Sequence, residues 1–184
     1  MHVDLLLKID AAMSVNPNTI VAIDGNAAAG KTTLAKALGR IYSCDVISMD
    51  DFFLPKDLRT KERLEEPGGN IHHERFKEEV LDFLVNKQSF SYKPYCCHKE
   101  DFKQSIFVKP SKITIVEGSY ALHPALADNY NLKVFMKIDP QKQLERIKAR
   151  NGEKMAEKFK NEWLPMEKKY HQTFDIKANC DLVI

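Results

Sequence analysis

The stretch from Thr19 to Leu34, TIVAIDGNAAAGKTTL, constrains this chain more than any other. An apolar run, Ile20-Val21-Ala22-Ile23, has the residue types of a strand buried on both faces. Gly25 follows, then Asn26, Ala27, Ala28 and Ala29, then Gly30-Lys31-Thr32. This is the pattern G-x-x-x-x-G-K-[ST], a phosphate-binding loop (P-loop) between a strand and a helix. The glycines let the backbone turn tightly and approach a phosphate closely. Successive backbone N–H groups then form an anion nest, and the helix that starts near Lys31 adds its positive end. Lys31 is placed to reach the β- and γ-phosphates, the Thr32 hydroxyl to ligate Mg²⁺, and the loop through Thr33 to hold the nucleotide. A chance match in a Gly/Ala-rich loop is the competing reading. The strand pattern before the loop and the helix-forming run Thr33 to Leu38 after it argue against chance. The motif alone does not choose between a kinase, a hydrolase and a switch.

A length of 184 residues with 43% hydrophobic residues suits one domain with a proper core, residues 1–184. A net charge of +2 is too balanced to call for a nucleic-acid or membrane partner. The apolar runs are strand-length, and the first residues lack the pattern of a secretory signal. Cys44, Cys96, Cys97 and Cys180 contain no C-x-x-C pair, which fits a reduced, cytoplasmic protein. Cys96-Cys97-His98 lacks a second ligand pair at zinc spacing.

Further periodicities order the rest of the chain. Residues 3–13 read as an amphipathic helix ended by Asn16-Pro17-Asn18. Residues 45–49, 112–116, 132–138 and 181–184 read as strands, and 72–86 as a helix. Residues 54–70, rich in charge, Pro and Gly, read as a surface loop. Residues 89–95 and 102–108 read as a hairpin projecting from the main sheet, and 124–130 as a short helix or turn. Asp139-Pro140 opens a charged helical stretch to about Tyr170, with expected interruptions near Asn151-Gly152 and Pro165. The alternation and the P-loop imply an α/β fold: a P-loop NTPase-type parallel sheet of about five strands flanked by helices, with the projecting hairpin.

In open α/β sheets, ligands bind beyond the carboxyl ends of the strands. The P-loop, Asp50-Asp51 and Glu117 all fall on such ends. An acid after the strand at 112–116 can hold Mg²⁺ or its waters beside Thr32. An acid after the strand at 45–49 can take a proton from an acceptor hydroxyl, and either Asp50 or Asp51 could serve. Taken singly, these aspartates could equally cap a loop, and Glu117 could lie on the surface. Arg146 and Arg150 stand four apart on one helical face. Their forked, permanently charged guanidinium groups suit a transferring phosphoryl group, although a solvated helix face would look the same in isolation.

The P-loop, SMDDFFLP, EPGGN, the hairpin strand Tyr92-Lys93-Pro94-Tyr95, IVEG and the basic helix together resemble the uridine kinase/phosphoribulokinase family over nearly the whole chain after residue 18. Trp163-Leu164-Pro165-Met166 to Tyr170 is similar to the end region of the nicotinamide riboside kinases within that group. The resemblance implies ATP and Mg²⁺ as cofactors, a small-molecule hydroxyl as acceptor and a helical lid over about 140–170. It implies Asp50 as catalytic base and a possible Mg²⁺ neighbour, Thr32 and Glu117 as metal-linked positions, Lys31 as the phosphate lysine, and Arg146 and Arg150 as lid arginines. It implies that His72, Tyr92 and His98 lie on the acceptor side. Two departures stand out. His72 occupies the place where uridine kinases carry a ribose-binding aspartate, and Gly152 and Lys154 stand where further lid arginines are usual. The expectation is a kinase of a nucleoside or nucleoside-like hydroxyl. A kinase of a non-nucleoside sugar or vitamin precursor is the alternative within enzymes, and a P-loop regulator without a small acceptor the alternative outside them. Oligomeric state is left open.

Overall fold

In the computed structural model, residues 2–184 are described. The first helix, α1 (Val3–Val15), leads into β1 (Thr19–Gly25), the P-loop and α2 (Lys31–Tyr42). After β2 (Val46–Ser48) a 3₁₀ turn over Met49–Phe52 carries both aspartates. Helix α3 (Lys61–Glu65) and helix α4 (residues 73–85) precede the hairpin strands β3 (Phe90–Tyr92), β4 (Tyr95–Cys96), β5 (Asp101–Phe102) and β6 (Ile106–Val108). Strand β7 (Ile113–Glu117), helix α5 (Pro124–Ala127) and strand β8 (Leu132–Met136) follow. Helix α6 (Pro140–Asn151), helix α7 (residues 153–173) and strand β9 (Leu182–Val183) complete the chain.

The central sheet has the order β2-β7-β1-β8-β9 and every pairing is parallel. Every residue of β1 is buried, because helices cover both faces. Val21 and Ile23 face one way, onto Leu5 and Ile9 of α1 and Ala35 and Leu38 of α2. Ile20 and Ala22 face the other way, into a larger core with Phe76, Val80, Leu81 and Leu84 of α4. The period of two in the strand thus meets two separate helical layers. Each of these large apolar side chains contributes roughly 1.5–3 kcal/mol by leaving water.

The projecting hairpin is split into two short antiparallel ladders, β3 with β6 and β4 with β5. Phe90, Tyr92 and Val108 at its base are part of the larger core. Its outer strands and turn are mostly exposed.

Two sequence expectations need correction. The stretch 54–70 is more than a loop: Thr60 accepts a hydrogen bond from the Arg63 amide and caps helix α3, and Leu54 is buried. Pro165 does not interrupt its helix. A π turn at Phe159–Trp163 lies just ahead of it, where the Leu164 amide reaches back to Phe159 O, and this wider turn accommodates the missing donor. Gly152, with φ 80°, is the real break, between α6 and α7.

Candidate active site at the carboxyl edge of the sheet

The P-loop leaves the sheet at Gly25, beside the end of β8. A Cβ on Gly25 would stand 2.1 Å from Met136 O, and its φ of 135° is in the region that favours glycine. The neighbouring Asn26 amide donates to the same carbonyl at 3.0 Å. The backbone is therefore pressed against β8 before it turns outward, and no side chain fits at that point.

Lys31, the first residue of α2, is 8% exposed. Its ammonium group donates to Gly25 O at 2.7 Å, Asn26 O at 3.0 Å and the Ser119 hydroxyl at 3.2 Å. The lysine folds back under its own loop and satisfies all three of its hydrogens there. Thr32 Oγ1 donates to Glu117, 3.2 Å from Oε1 and 3.1 Å from Oε2. Ser48 Oγ donates to Glu117 Oε1 at 3.1 Å. Strands β2 and β7 and helix α2 thus bring two hydroxyls and a carboxylate together. Burial raises the Glu117 carboxyl above its ordinary value, and the nearby Asp50 charge adds to the rise. Two hydroxyls and a carboxylate form an all-oxygen donor set of the kind that a hard cation such as Mg²⁺ takes. Among the described residues no group of three or more His, Cys, Asp or Glu could hold a metal. A cation shared with nucleotide phosphates needs fewer protein ligands than that.

The two aspartates differ in their surroundings. Tyr92 OH donates to Asp51 Oδ2 at 3.2 Å, and Arg75 donates to the Asp51 carbonyl at 2.8 Å. Asp50 is exposed and its carboxylate has no hydrogen-bond partner among the described residues. Although water reaches it, the surrounding protein raises its carboxyl above the usual range, and the charges of Lys31 and Arg150 act against that rise. Arg150, on α6, is therefore within electrostatic reach of Asp50. Arg146, one turn earlier, donates to the P-loop carbonyls Ala28 O at 3.1 Å and Ala29 O at 3.5 Å.

The other residues that the sequence assigns to an acceptor side are less gathered. Tyr92 is joined to Asp51 and stacks on Phe52 at 5.2 Å. The His72 ring caps α4, with Nδ1 accepting from the Arg75 amide at 3.3 Å and lying 3.2 Å from Glu74. His98 is exposed in the turn between β4 and β5, with no hydrogen bond to the Asp50 group among the described residues.

Several residues of this edge carried no motif. Asp24, fully buried at the end of β1, accepts from the amides of Gly25, Tyr120 and Leu122 and from Tyr170 OH at 2.8 Å. Burial alone would raise its carboxyl, but His171, Lys31 and the Leu122 amide outweigh burial and hold it low. The one sequence signal for Asp24 was an acid closing an otherwise apolar strand. Ser119, Gln143 and Glu167 complete the surroundings of the loop and had no signal, because only folding brings them there.

No family model matches the chain, and no curated protein matches it in sequence. Among solved structures, a possible uridine kinase from Bacillus stearothermophilus is similar over 98% of this chain and 99% of its own, at a TM-score of 0.70 and 17% identity. A proposed fructose transport system kinase from Silicibacter sp. TM1040 is similar over 98% of this chain and 97% of its own, at a TM-score of 0.77 and 18% identity. At such identities the likeness is one of architecture, and with the parallel sheet and the loop after β1 it shows that this chain has the P-loop NTPase-type α/β fold.

Proposed function

We propose that the chain is an ATP-dependent kinase that transfers the γ-phosphoryl group to the hydroxyl of a small molecule, a nucleoside or nucleoside-like compound. The observation that carries this reading is the convergence, at one sheet edge, of Lys31 in its loop, Thr32 on Glu117, and an unpartnered Asp50 within the field of Lys31 and Arg150. A nucleotide regulator has no need of a free carboxylate so placed.

In this reading the acceptor hydroxyl attacks the γ-phosphorus in line, its proton passes to Asp50, and the bond from the γ-phosphorus to the β-bridging oxygen breaks to release ADP. Lys31 exchanges its loop carbonyls for phosphate oxygens, and Arg150 approaches the charge that develops during transfer. Thr32 and Glu117 would hold Mg²⁺, which when bound neutralises charge on the β- and γ-oxygens. Asp51 keeps Tyr92 and the hairpin base in place.

A second reading, a sugar hydroxyl outside the nucleosides, is favoured by His72. The residue at the place of the ribose-binding aspartate is a histidine whose Nδ1 is used as a helix cap. The test is ATP turnover against a panel of nucleosides, free sugars, sugar phosphates and vitamin precursors. A rate that rises with one class of acceptor supports the kinase and chooses between the readings. Turnover indifferent to every acceptor overturns both. A thermal-shift screen with an ATP analogue and Mg²⁺ narrows the panel first, since a ligand of the folded state stabilises it by mass action.

A further inference from the structure

Glu167 is a buried carboxylate, 5% exposed, on helix α7. It takes no part in the transfer described above, yet it lies against the P-loop. Its Oε2 accepts the Ala27 amide at 2.7 Å and the Ser119 hydroxyl at 3.5 Å. Its Oε1 accepts from Asn26 Nδ2 and from Gln143 Nε2, both at 3.3 Å. All four partners are donors, so the ionised carboxylate is satisfied in place.

The contacts form a clamp. Gln143, on α6, also donates to Ala27 O at 3.1 Å. Residue Ala27 is therefore held by its N–H from α7 and by its C=O from α6. Arg146 takes the next two loop carbonyls from the same side. With these carbonyls drawn toward α6 and α7, and with the Asn26 and Ala29 amides turned to Met136 O and Asn26 O, the amides of Ala28 and Gly30 have no partner among the described residues and can face an anion. Ser119 extends the clamp to the lysine, since its hydroxyl donates to Glu167 and accepts from Lys31 at 3.2 Å.

A buried negative charge next to a triphosphate site repels the ligand. A carboxylate there is explained if its positional effect on the loop exceeds that repulsion. We propose that Glu167 is a positioning residue through which the docked lid helices α6 and α7 set the phosphate-binding conformation of the P-loop, so that lid docking and nucleotide binding strengthen each other. The inference rests on the kinase reading for the presence of a nucleotide but not on the identity of the acceptor. By linkage, whatever the docked lid adds to nucleotide affinity, bound nucleotide adds to lid docking.

The experiment uses the full chain with MgADP, measured by calorimetry, and with limited proteolysis of residues 140–173 read in parallel. Wild type should bind MgADP, and MgADP should slow cleavage of that segment. Glu167→Ala should bind MgADP at least tenfold more weakly and lose most of the protection. Glu167→Gln keeps one acceptor oxygen for the Ala27 amide and should recover part of both. If Glu167→Ala does not fold, Gln143→Ala removes the carbonyl side of the same clamp and should weaken MgADP at least threefold. A folded Glu167→Ala or Gln143→Ala that binds MgADP within twofold of wild type, with protection intact, overturns the inference and leaves the kinase reading standing. Wild type that binds no MgADP overturns both.

Discussion

Tyr92 donates its phenolic hydrogen to Asp51 at 3.2 Å, a contact that the adjacent Asp50, just past the end of β2, does not share. Asp51 is engaged with the hairpin base, while the carboxylate of Asp50 is exposed and has no hydrogen-bond partner among the described residues. Burial and the Asp51 charge push the Tyr92 hydroxyl well above its ordinary value, so it remains a donor through the whole working range of pH.

The first prediction follows from that difference. Asp50→Asn should bind MgATP nearly as wild type does while turnover falls by roughly 10²–10⁴-fold, the range for loss of a general base. Asp51→Asn should keep turnover within about tenfold of wild type, its cost coming through the Tyr92 contact. Initial rates at saturating substrates, with nucleotide affinity measured separately, decide the matter. The reverse ranking would move the base to Asp51.

Lys31→Ala removes an ammonium that donates to two loop carbonyls and to Ser119. A charge-assisted hydrogen bond contributes about 1.5–3 kcal/mol, so MgATP affinity should drop about 10- to 100-fold. Turnover should be nearly abolished even at saturating nucleotide. Wild-type turnover in this variant would remove the P-loop from the mechanism.

Arg146 and Arg150 should separate kinetically, although both are exposed on α6. Arg150 acts on Asp50 from a distance, so Arg150→Ala should lower kcat, by about 10- to 100-fold, more than it raises the KM for ATP. Arg146 holds the loop carbonyls of Ala28 and Ala29, so Arg146→Ala should also raise that KM. Lysine should restore either only in part, because an ammonium lacks the planar fork. If kcat stays within about twofold of wild type in both alanine variants, α6 is merely a solvated face.

Acid should destabilise the fold through His123. This ring stacks on His73 at 4.0 Å, and burial, followed by the nearby charges of His73 and Arg63, lowers it to about 4. An exposed imidazole titrates near 6.5, so folding favours the neutral ring. The stability is fully present above about pH 6.5 and declines as pH falls toward 4, by up to about 3 kcal/mol from this one group. His73 is shifted in the same direction. Thermal unfolding from pH 7 to 4 should show this decline, and His123→Phe, which keeps an aromatic ring against His73, should flatten it. An unchanged slope in that variant would place the acid sensitivity elsewhere.

What could be read from the chain alone was local. The β-branched run, Gly25, Gly30, Lys31 and Thr32 are contiguous, and their spacing is dictated by one strand, one tight turn and one helix start. Asp50 and Glu117 were legible because each ends an apolar run, and parallel strands place their carboxyl ends on one edge. The sheet, its flanking helices and the hairpin followed from periodicity for the same reason. The sequence could not rank Asp50 against Asp51, since the residue that distinguishes them, Tyr92, is 41 positions away from Asp51. Nor could it show that His72 would serve as a cap, because a ring near a helix start looks the same whether it faces a ligand or the backbone.

Tertiary structure alone decided the surroundings of the loop. Glu167 is 140 residues from Ala27, Gln143 is 116 residues from it, and Asp24 meets Tyr170 across 146. No propensity or period connects such pairs. They are brought together only when helices α6 and α7 pack over the sheet edge, where a buried carboxylate persists because donors from three separate elements converge on it. The continuity of helix α7 through Pro165 also shows only in the structure. A proline in isolation signals a break, and the wider turn just upstream, where the Leu164 amide reaches back to Phe159 O, removes the reason for one.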